Sequence, residues 1–133
     1  MAIIRWNEEL SVGVELFDSQ HRELFSRLNQ LHDAMAKGDT KAVMGSILDE
    51  LVRYTGYHFE SEEKAFDQFS YPEAEAHKAE HRDFARKAAE LKEKFDSGKL
   101  LISVETLNFL IRWVDSHIKG SDKKYTAALQ GKI

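Results

Sequence analysis

The sequence predicts an all-α protein, an antiparallel up-down-up-down four-helix bundle with an extended N-terminal arm and a short C-terminal helix. Three observations support this fold class. Apolar residues recur at helical spacing along most of the chain. Pro72 is the single proline among 133 residues. The helical segments are joined by short connections, which favour antiparallel neighbours. A chain of this length fits a single domain with its own core.

The first helix is expected at about residues 18–37, after an arm over residues 1–17 in which Trp6 packs on the bundle. Asp18 is a candidate N-cap, and "KGD" ends the segment. The apolar stripe comprises Leu24, Leu28, Leu31 and Met35. His21 lies one turn before Leu24, so it shares the face that points to the core.

The second helix is expected at about residues 40–68. Its core stripe runs through Met44, Ile47, Leu51, Tyr54, His58, Glu62 and Ala65. An imidazole and a carboxylate therefore occupy positions where a core-facing helix normally has leucines.

The third helix is expected at about residues 72–96. Ser70 and Glu73 form a candidate capping box, and Pro72 suits a first helical turn. Its stripe comprises Ala74, His77, His81, Phe84, Ala88, Leu91 and Phe95.

The fourth helix is expected at about residues 103–119, with "KGSD" interrupting it before a tail that can form a further turn or two. Its stripe comprises Leu107, Leu110, Val114 and His117.

Polar side chains on all four stripes are predicted to meet at one end of the bundle. The start of the first and third helices and the end of the second and fourth lie together in an up-down bundle. The converging residues are His21, His58, Glu62, His77, His81, His117 and Asp122. An unpaired carboxylate in an apolar core is costly, so we expect positive charge among them. Imidazole and carboxylate donors suit first-row metals.

The spacing of these residues adds geometry. The pairs His58–Glu62 and His77–His81 are one turn apart on one face. Asp122 follows His117 by five residues, roughly 140° off its face on a regular helix, so we expect the helix to end near Gly120. Seven ligands are too many for one ion, which favours two metals.

This pattern resembles the hemerythrin family, specifically its single-domain bacterial members. The resemblance covers nearly the whole chain, including the arm and "GVELFDSQHRELF". It implies a non-haem centre of two iron ions with a bridging oxo or hydroxo group, which binds O2 reversibly. It further implies that His77, His81 and His117 hold one iron and that His21 and His58 hold the iron with the open position. Glu62 and Asp122 would bridge the two.

Four apolar residues near the predicted ligands have two interpretations. Leu24, Phe59, Trp113 and Ile118 are either ordinary core or the wall of a dry O2 pocket that slows oxidation of the centre. Two other polar residues are not expected to belong to the site. His32 lies about 16 Å along the axis from His21, so we expect a non-ligand. Glu63 points away from Glu62 and is predicted to be solvated.

We expect O2 carriage, storage or delivery rather than catalysis. The first alternative is an oxygen or redox sensor, but 133 residues leave no room for a signalling module. The second is a di-iron enzyme, such as a peroxidase or a nitric-oxide-reducing protein. Carboxylate-rich di-iron sites use Glu-x-x-His motifs, and the predicted ligand positions contain none.

The composition limits partners and location. The net charge of −4, with both signs interspersed, argues against nucleic acid. The chain has no cysteine, which fits a reducing compartment, and no apolar run long enough for a signal peptide or a membrane helix. We therefore expect a cytoplasmic monomer whose partners are O2 and an oxygen-consuming enzyme.

Overall fold

Four long α-helices build the protein. The structure is a computed structural model that describes residues 4–38, 40–98 and 104–133. The helices are α1 (Glu15–Lys37), α2 (Lys41–Gln68), α3 (Ala74–Asp96) and α4 (Val104–Gly120), and a short α5 (Thr126–Leu129) follows. Two 3₁₀ segments, Glu8–Leu10 and Asp122–Tyr125, flank the bundle. This arrangement confirms the predicted fold class.

The helices pack around one apolar core. α1 contacts α2 and α4, and α2 contacts α3. Leu28, Leu31, Leu48 and Leu107 are almost completely buried. No helix in the described part of the chain has both the length and the apolar character needed to cross a bilayer.

The core face of α2 is rotated relative to the prediction. Met44, Ile47 and Tyr54 are only partly buried, whereas Leu48 and Thr55 are buried together with the predicted Leu51. Because α2 packs between α1 and α3, its apolar face is wide, and spacing alone did not locate its centre. The stripes predicted for the residues of α3 and α4 are buried apart from Ala74 and Leu91, which are partly buried.

Asp18 was wrongly predicted as the N-cap of the first helix. α1 begins at Glu15, and Asp18 lies inside it with its side chain buried. Its carboxylate accepts hydrogen bonds from Ser11 Oγ (2.6 Å) and from the backbone N–H of Val12 (2.8 Å). Asp18 therefore fixes the arm against the helix, and its buried charge is paired with two donors.

The capping box predicted at Ser70 and Glu73 is also absent. α3 begins at Ala74, and Ser70 instead has a left-handed φ of 53° after the end of α2. The N–H of Tyr71 bonds to the carbonyl of Phe66, and the two rings pack 5.0 Å apart. This is the longer of the two hydrogen bonds of a Schellman motif, together with its hydrophobic contact, so the stretch ends α2 rather than starting α3.

The arm and the C-terminal tail pack against each other and against the bundle. Trp6 packs on the core as predicted, with Arg22 5.0 Å above its ring. The hydroxyl of Thr126 donates to the carbonyl of Val12 (2.6 Å). Gly13 has a φ of 72°, and a Cβ there would lie 2.9 Å from the methyl group of Thr126, so this crossing requires glycine.

Several predicted features lie outside the described residues. These are the first three residues of the arm, Asp39 at the predicted end of the first helix, Lys99 after the third, and the predicted start of the fourth at residue 103.

Candidate metal centre

All seven polar side chains predicted to converge do meet at one end of the bundle. They form two overlapping groups, and within each group the donor atoms lie within 4.8 Å of one another. The larger group comprises Glu62, His77, His81, His117 and Asp122. The smaller group comprises His21, His58, Glu62 and Asp122. Glu62 and Asp122 belong to both groups, and all seven side chains are buried.

The end of α4 delivers Asp122 to this cluster. α4 stops at Gly120, and a 3₁₀ turn begins at Asp122, as the five-residue spacing from His117 predicted. On a continued α-helix the carboxylate would be turned away from the face that carries His117. The change of helix type instead leaves Asp122 fully buried among the histidines.

The two oxygens of Asp122 face different groups. Oδ1 lies 2.9 Å from Nε2 of His77 and 3.1 Å from Nε2 of His117. Oδ2 lies 3.1 Å from Nε2 of His21. One carboxylate thus presents one oxygen to each half of the cluster, which is the arrangement that a bridging carboxylate requires.

Glu62 lies between the same two halves. Its Oε1 is 3.2 Å from Nε2 of His81 and 3.6 Å from Nε2 of His58. Its Oε2 accepts a hydrogen bond from the hydroxyl of Tyr125 (2.6 Å) and lies 3.8 Å from Nε2 of His21.

Three histidines are held from behind through Nδ1. His58 Nδ1 is 2.6 Å from the amide oxygen of Gln20. His81 Nδ1 is 2.9 Å from Oε2 of Glu63, and His117 Nδ1 is 3.2 Å from Oε1 of Glu80. Such contacts fix the tautomer, so Nε2 is left as the free electron-pair donor that faces the centre.

Three residues of the site, Gln20, Glu80 and Tyr125, were not predicted, and the prediction for Glu63 was wrong. Glu63 is not simply solvated, since it is half-buried and contacts His81. A sequence signal did exist. Gln20, Glu63 and Glu80 each adjoin a residue of the cluster, and each contacts a histidine on the next helix of the bundle.

The bare cluster is unfavourable without added positive charge, so the donor set fits a bound cation. Within the described part of the chain, both oxygens of Asp122 and Oε1 of Glu62 are buried without a hydrogen bond, as is Nε2 of His77. Nε2 of His81 and Nε2 of His117 lie only 3.1 Å apart. Lone pairs and ionised oxygens directed at one small volume repel one another unless protons or metal ions lie between them.

The shifted pKa values of the cluster also indicate that positive charge stabilises it. Burial opposes the charged form of His21, but the carboxylates of Asp122 and Glu62 outweigh it and raise the pKa to about 9. The same balance raises the pKa of His77 to about 9. Burial dominates at His58 and lowers its pKa to about 4. The surrounding histidines hold the pKa values of Glu62 and Asp122 well below their usual range despite burial.

A small cavity adjoins the smaller group and also contacts His117 of the larger group. The cavity has a volume of about 10 Å³, which is close to the minimum that one water molecule needs. Leu24, Phe59, Trp113 and Ile118, the four apolar residues predicted near the ligands, all line it. Trp113 also stacks on His117 with ring centroids 4.4 Å apart, and Phe59 stacks on His81 at 3.9 Å. His32, the predicted non-ligand, belongs to neither donor group.

Comparison with known proteins places this geometry in a family. The model of the hemerythrin HHE cation binding domain matches residues 12–129. The chain is 38% identical over its full length to a bacteriohemerythrin of Stenotrophomonas maltophilia and covers 86% of that protein. It is 35% identical to a bacteriohemerythrin of Methylococcus capsulatus, with 97% of this chain and 98% of the relative covered.

Solved structures agree with the sequence relatives. A crystal structure of wild-type hemerythrin superposes with a TM-score of 0.94 at 34% identity, over 98% of this chain and all of the other. A crystal structure of a hemerythrin carrying a leucine-to-alanine substitution gives the same TM-score at 35% identity, with the same coverage of both chains.

Proposed function

This chain belongs to the hemerythrin family, and we propose that it binds O2 reversibly at a non-haem centre of two iron ions, for carriage, storage or delivery of oxygen. Its relatives are bacteriohemerythrins and hemerythrins, which form an oxygen-binding family and not a family of enzymes. This agrees with the expectation from the sequence that the chain is not an enzyme. The proposal for iron rests on the family, because the donor types alone also suit other first-row metals.

The observation that carries the proposal is the division of seven buried donors into two groups that share two carboxylates. We assign His77, His81 and His117 to one iron and His21 and His58 to the other, with Glu62 and Asp122 bridging them. The first position then has three histidines and the second has two, so the second retains room for a further ligand. The cavity lined by Leu24 and Trp113 adjoins this second group.

When bound, the iron pair would supply the electrons that O2 binding draws on, with an oxo or hydroxo group as a further bridge. The protein's own residues control the surroundings. Leu24, Phe59, Trp113 and Ile118 leave little room for water beside the smaller group. The hydroxyl of Tyr125 donates a hydrogen bond to Oε2 of Glu62, and this contact orients a carboxylate proposed to bridge.

We propose that the protein works as a monomer in the cytoplasm and passes O2 to an oxygen-consuming enzyme. The large apolar side chains exposed among the described residues support the monomer, because the two on α2 lie about four turns apart and the other two belong to other segments. They are Leu16, Val43, Tyr57 and Ile133. Single exposed apolar residues are normal on monomeric proteins, unlike broad patches.

The test is anaerobic loading with ferrous iron, followed by cycles of O2 addition and removal. The proposal predicts two irons per chain and a visible absorption band that appears with O2 and disappears on deoxygenation. A band that forms once and persists, with turnover of an added reductant, would indicate an enzyme instead. A single bound ion would contradict the two-metal centre.

A further inference from the structure

We propose that Glu63 and Glu80 are positioning residues that make the two metal positions electronically unequal. They give the position held by His77, His81 and His117 the lower reduction potential. This inference rests on the di-iron centre of the proposed function. It concerns a different property, namely which of the two ions gives up its electron first.

The asymmetry is visible in what lies behind each histidine. In the larger group, His81 and His117 each direct Nδ1 at a carboxylate, that of Glu63 at 2.9 Å and that of Glu80 at 3.2 Å. In the smaller group, Nδ1 of His58 lies 2.6 Å from the neutral amide of Gln20, and Nδ1 of His21 has no hydrogen-bond partner among the residues that the structure describes. Both anions therefore lie behind the same metal position.

The charge of these partners affects the metal through the imidazole ring. An N–H that donates to a carboxylate leaves more electron density on the ring, so Nε2 becomes a stronger donor than it is with an amide partner. A stronger donor stabilises the ion of higher charge. Two carboxylate-backed histidines thus favour Fe(III) at the larger group, while Fe(II) is favoured at the smaller group beside the cavity.

The two carboxylates are held differently. Ser121 Oγ donates to both oxygens of Glu80, at 2.7 and 2.9 Å, so Glu80 is fixed against the end of α4. The side chain of Glu80 is 47% exposed, whereas that of Glu63 is 32% exposed. Water and salt screen the more exposed charge more strongly. Glu63 should therefore have the larger influence.

The redox steps are simple one-electron transfers. With iron bound, one molecule of a dissolved one-electron mediator would oxidise Fe(II) at the larger group to Fe(III) and become reduced itself. A second mediator molecule would accept the electron from Fe(II) at the smaller group, at a higher potential. The two potentials and their separation can be read from a spectroelectrochemical titration of the iron-loaded protein without O2.

Glu63→Gln isolates the charge, because glutamine keeps an acceptor oxygen at nearly the same place. We expect this variant to raise the reduction potential of the larger group, which is the lower of the two, and so to bring the two potentials closer together. Glu80→Gln should do the same to a smaller extent. Gln20→Glu places an anion behind His58 and should narrow the separation by lowering the higher potential. Glu60→Gln is the matched control, since Glu60 lies on α2 but pairs with Lys64 at the surface. Its potentials should stay at the wild-type values.

The outcomes separate this inference from the proposed function. If the wild-type protein does not hold two irons, the proposed function fails. If Glu63→Gln and Glu80→Gln hold two irons with unchanged potentials, the inference is overturned and the carboxylates only orient the rings. If Glu63→Gln loses iron, the potentials of Gln20→Glu test the inference instead, because this variant keeps the carboxylates of Glu63 and Glu80. A narrowed separation supports the inference, and an unchanged one overturns it.

Discussion

Tyr125 donates a 2.6 Å hydrogen bond to Oε2 of Glu62, and both side chains are fully buried. The hydrogen bond joins the C-terminal 3₁₀ turn to the C-terminal half of α2. Burial and the nearby carboxylates of Glu62 and Asp122 hold the pKa of Tyr125 well above its usual range, so the phenol keeps its proton. The tail is therefore fastened to the centre itself.

Replacing Tyr125 with Phe should destabilise the protein by about 1.5–3 kcal/mol, the usual range for a hydrogen bond to a charged group. Urea unfolding of the metal-free protein measures this loss. Tyr71→Phe is the control, because its hydroxyl lies 3.3 Å from the exposed Glu73, and its effect should be smaller. Equal losses in the two variants would contradict the special role of Tyr125.

Asp122→Asn should reduce the iron content below two per chain while keeping the shape of the side chain. The reason is that both groups lose the charge of a shared donor. Asp115→Asn is the control, since this residue of α4 pairs with Lys119 at the surface and belongs to neither donor group of the cluster. Iron and protein assays on the two variants make the comparison. A full complement of iron in Asp122→Asn would contradict the bridging assignment.

The metal-free protein should lose stability as the pH rises from 6.5 to 9. The folded pKa values of His21 and His77 are about 9, above the unfolded value of 6.5, so the folded state binds more protons in this window. The stabilisation is complete below pH 6.5, and a loss on the order of 3 kcal/mol for each of the two histidines is expected by pH 9. Urea unfolding in EDTA across this range measures it.

Metal should remove this dependence, because a bound cation replaces the protons on His21 and His77. Loading near pH 7.5 should accordingly release protons to a weak buffer. A metal-free protein with the same stability at pH 6.5 and pH 9 would contradict the assignment of charge within the cluster.

Leu24→Ala and Trp113→Ala should accelerate oxidation of the iron-loaded protein in air several-fold. Both residues line the cavity beside the smaller group, and truncation admits water. The decay of the O2-dependent visible band measures the rate. Leu107→Ala is the control, because Leu107 is equally buried but does not line this cavity. It should cost about 2–5 kcal/mol of stability without changing the rate.

Ser70→Gly should stabilise the protein by up to about 1 kcal/mol. Ser70 has a φ of 53° at the end of α2, and a left-handed conformation is costly for a residue with a side chain. Ser61→Gly, inside α2, should have the opposite sign and a cost of about 0.5 kcal/mol. Thermal unfolding of both variants tests the pair, and a lower melting temperature for Ser70→Gly would count against the motif.

The seven donors could be predicted because they interrupt apolar stripes at helical spacing. A histidine in line with Leu24 or Leu110 is a buried polar group whatever the details of packing. The end of α4 near Gly120 followed from the same logic, since a regular helix would have turned Asp122 away. These inferences depend only on helical periodicity and on the topology of the bundle.

The partners behind the histidines adjoin cluster residues in the sequence, but this position alone did not predict their contacts, because these depend on how the helices rotate against each other. Glu63 is about 100° around α2 from Glu62, a position that is normally solvated. It contacts His81 only because α3 packs beside that edge of α2. Asp18 and Ser70 were misread for a related reason, since a capping residue type also serves to fix an arm or to end the preceding helix.

The most direct test of the two-metal centre is a crystal structure of the iron-loaded protein with diffraction recorded at the iron absorption edge. We predict two anomalous peaks, one bound by His77, His81 and His117 and the other by His21 and His58, with Glu62 and Asp122 contacting both. A single peak, or iron located away from these seven side chains, would contradict the account.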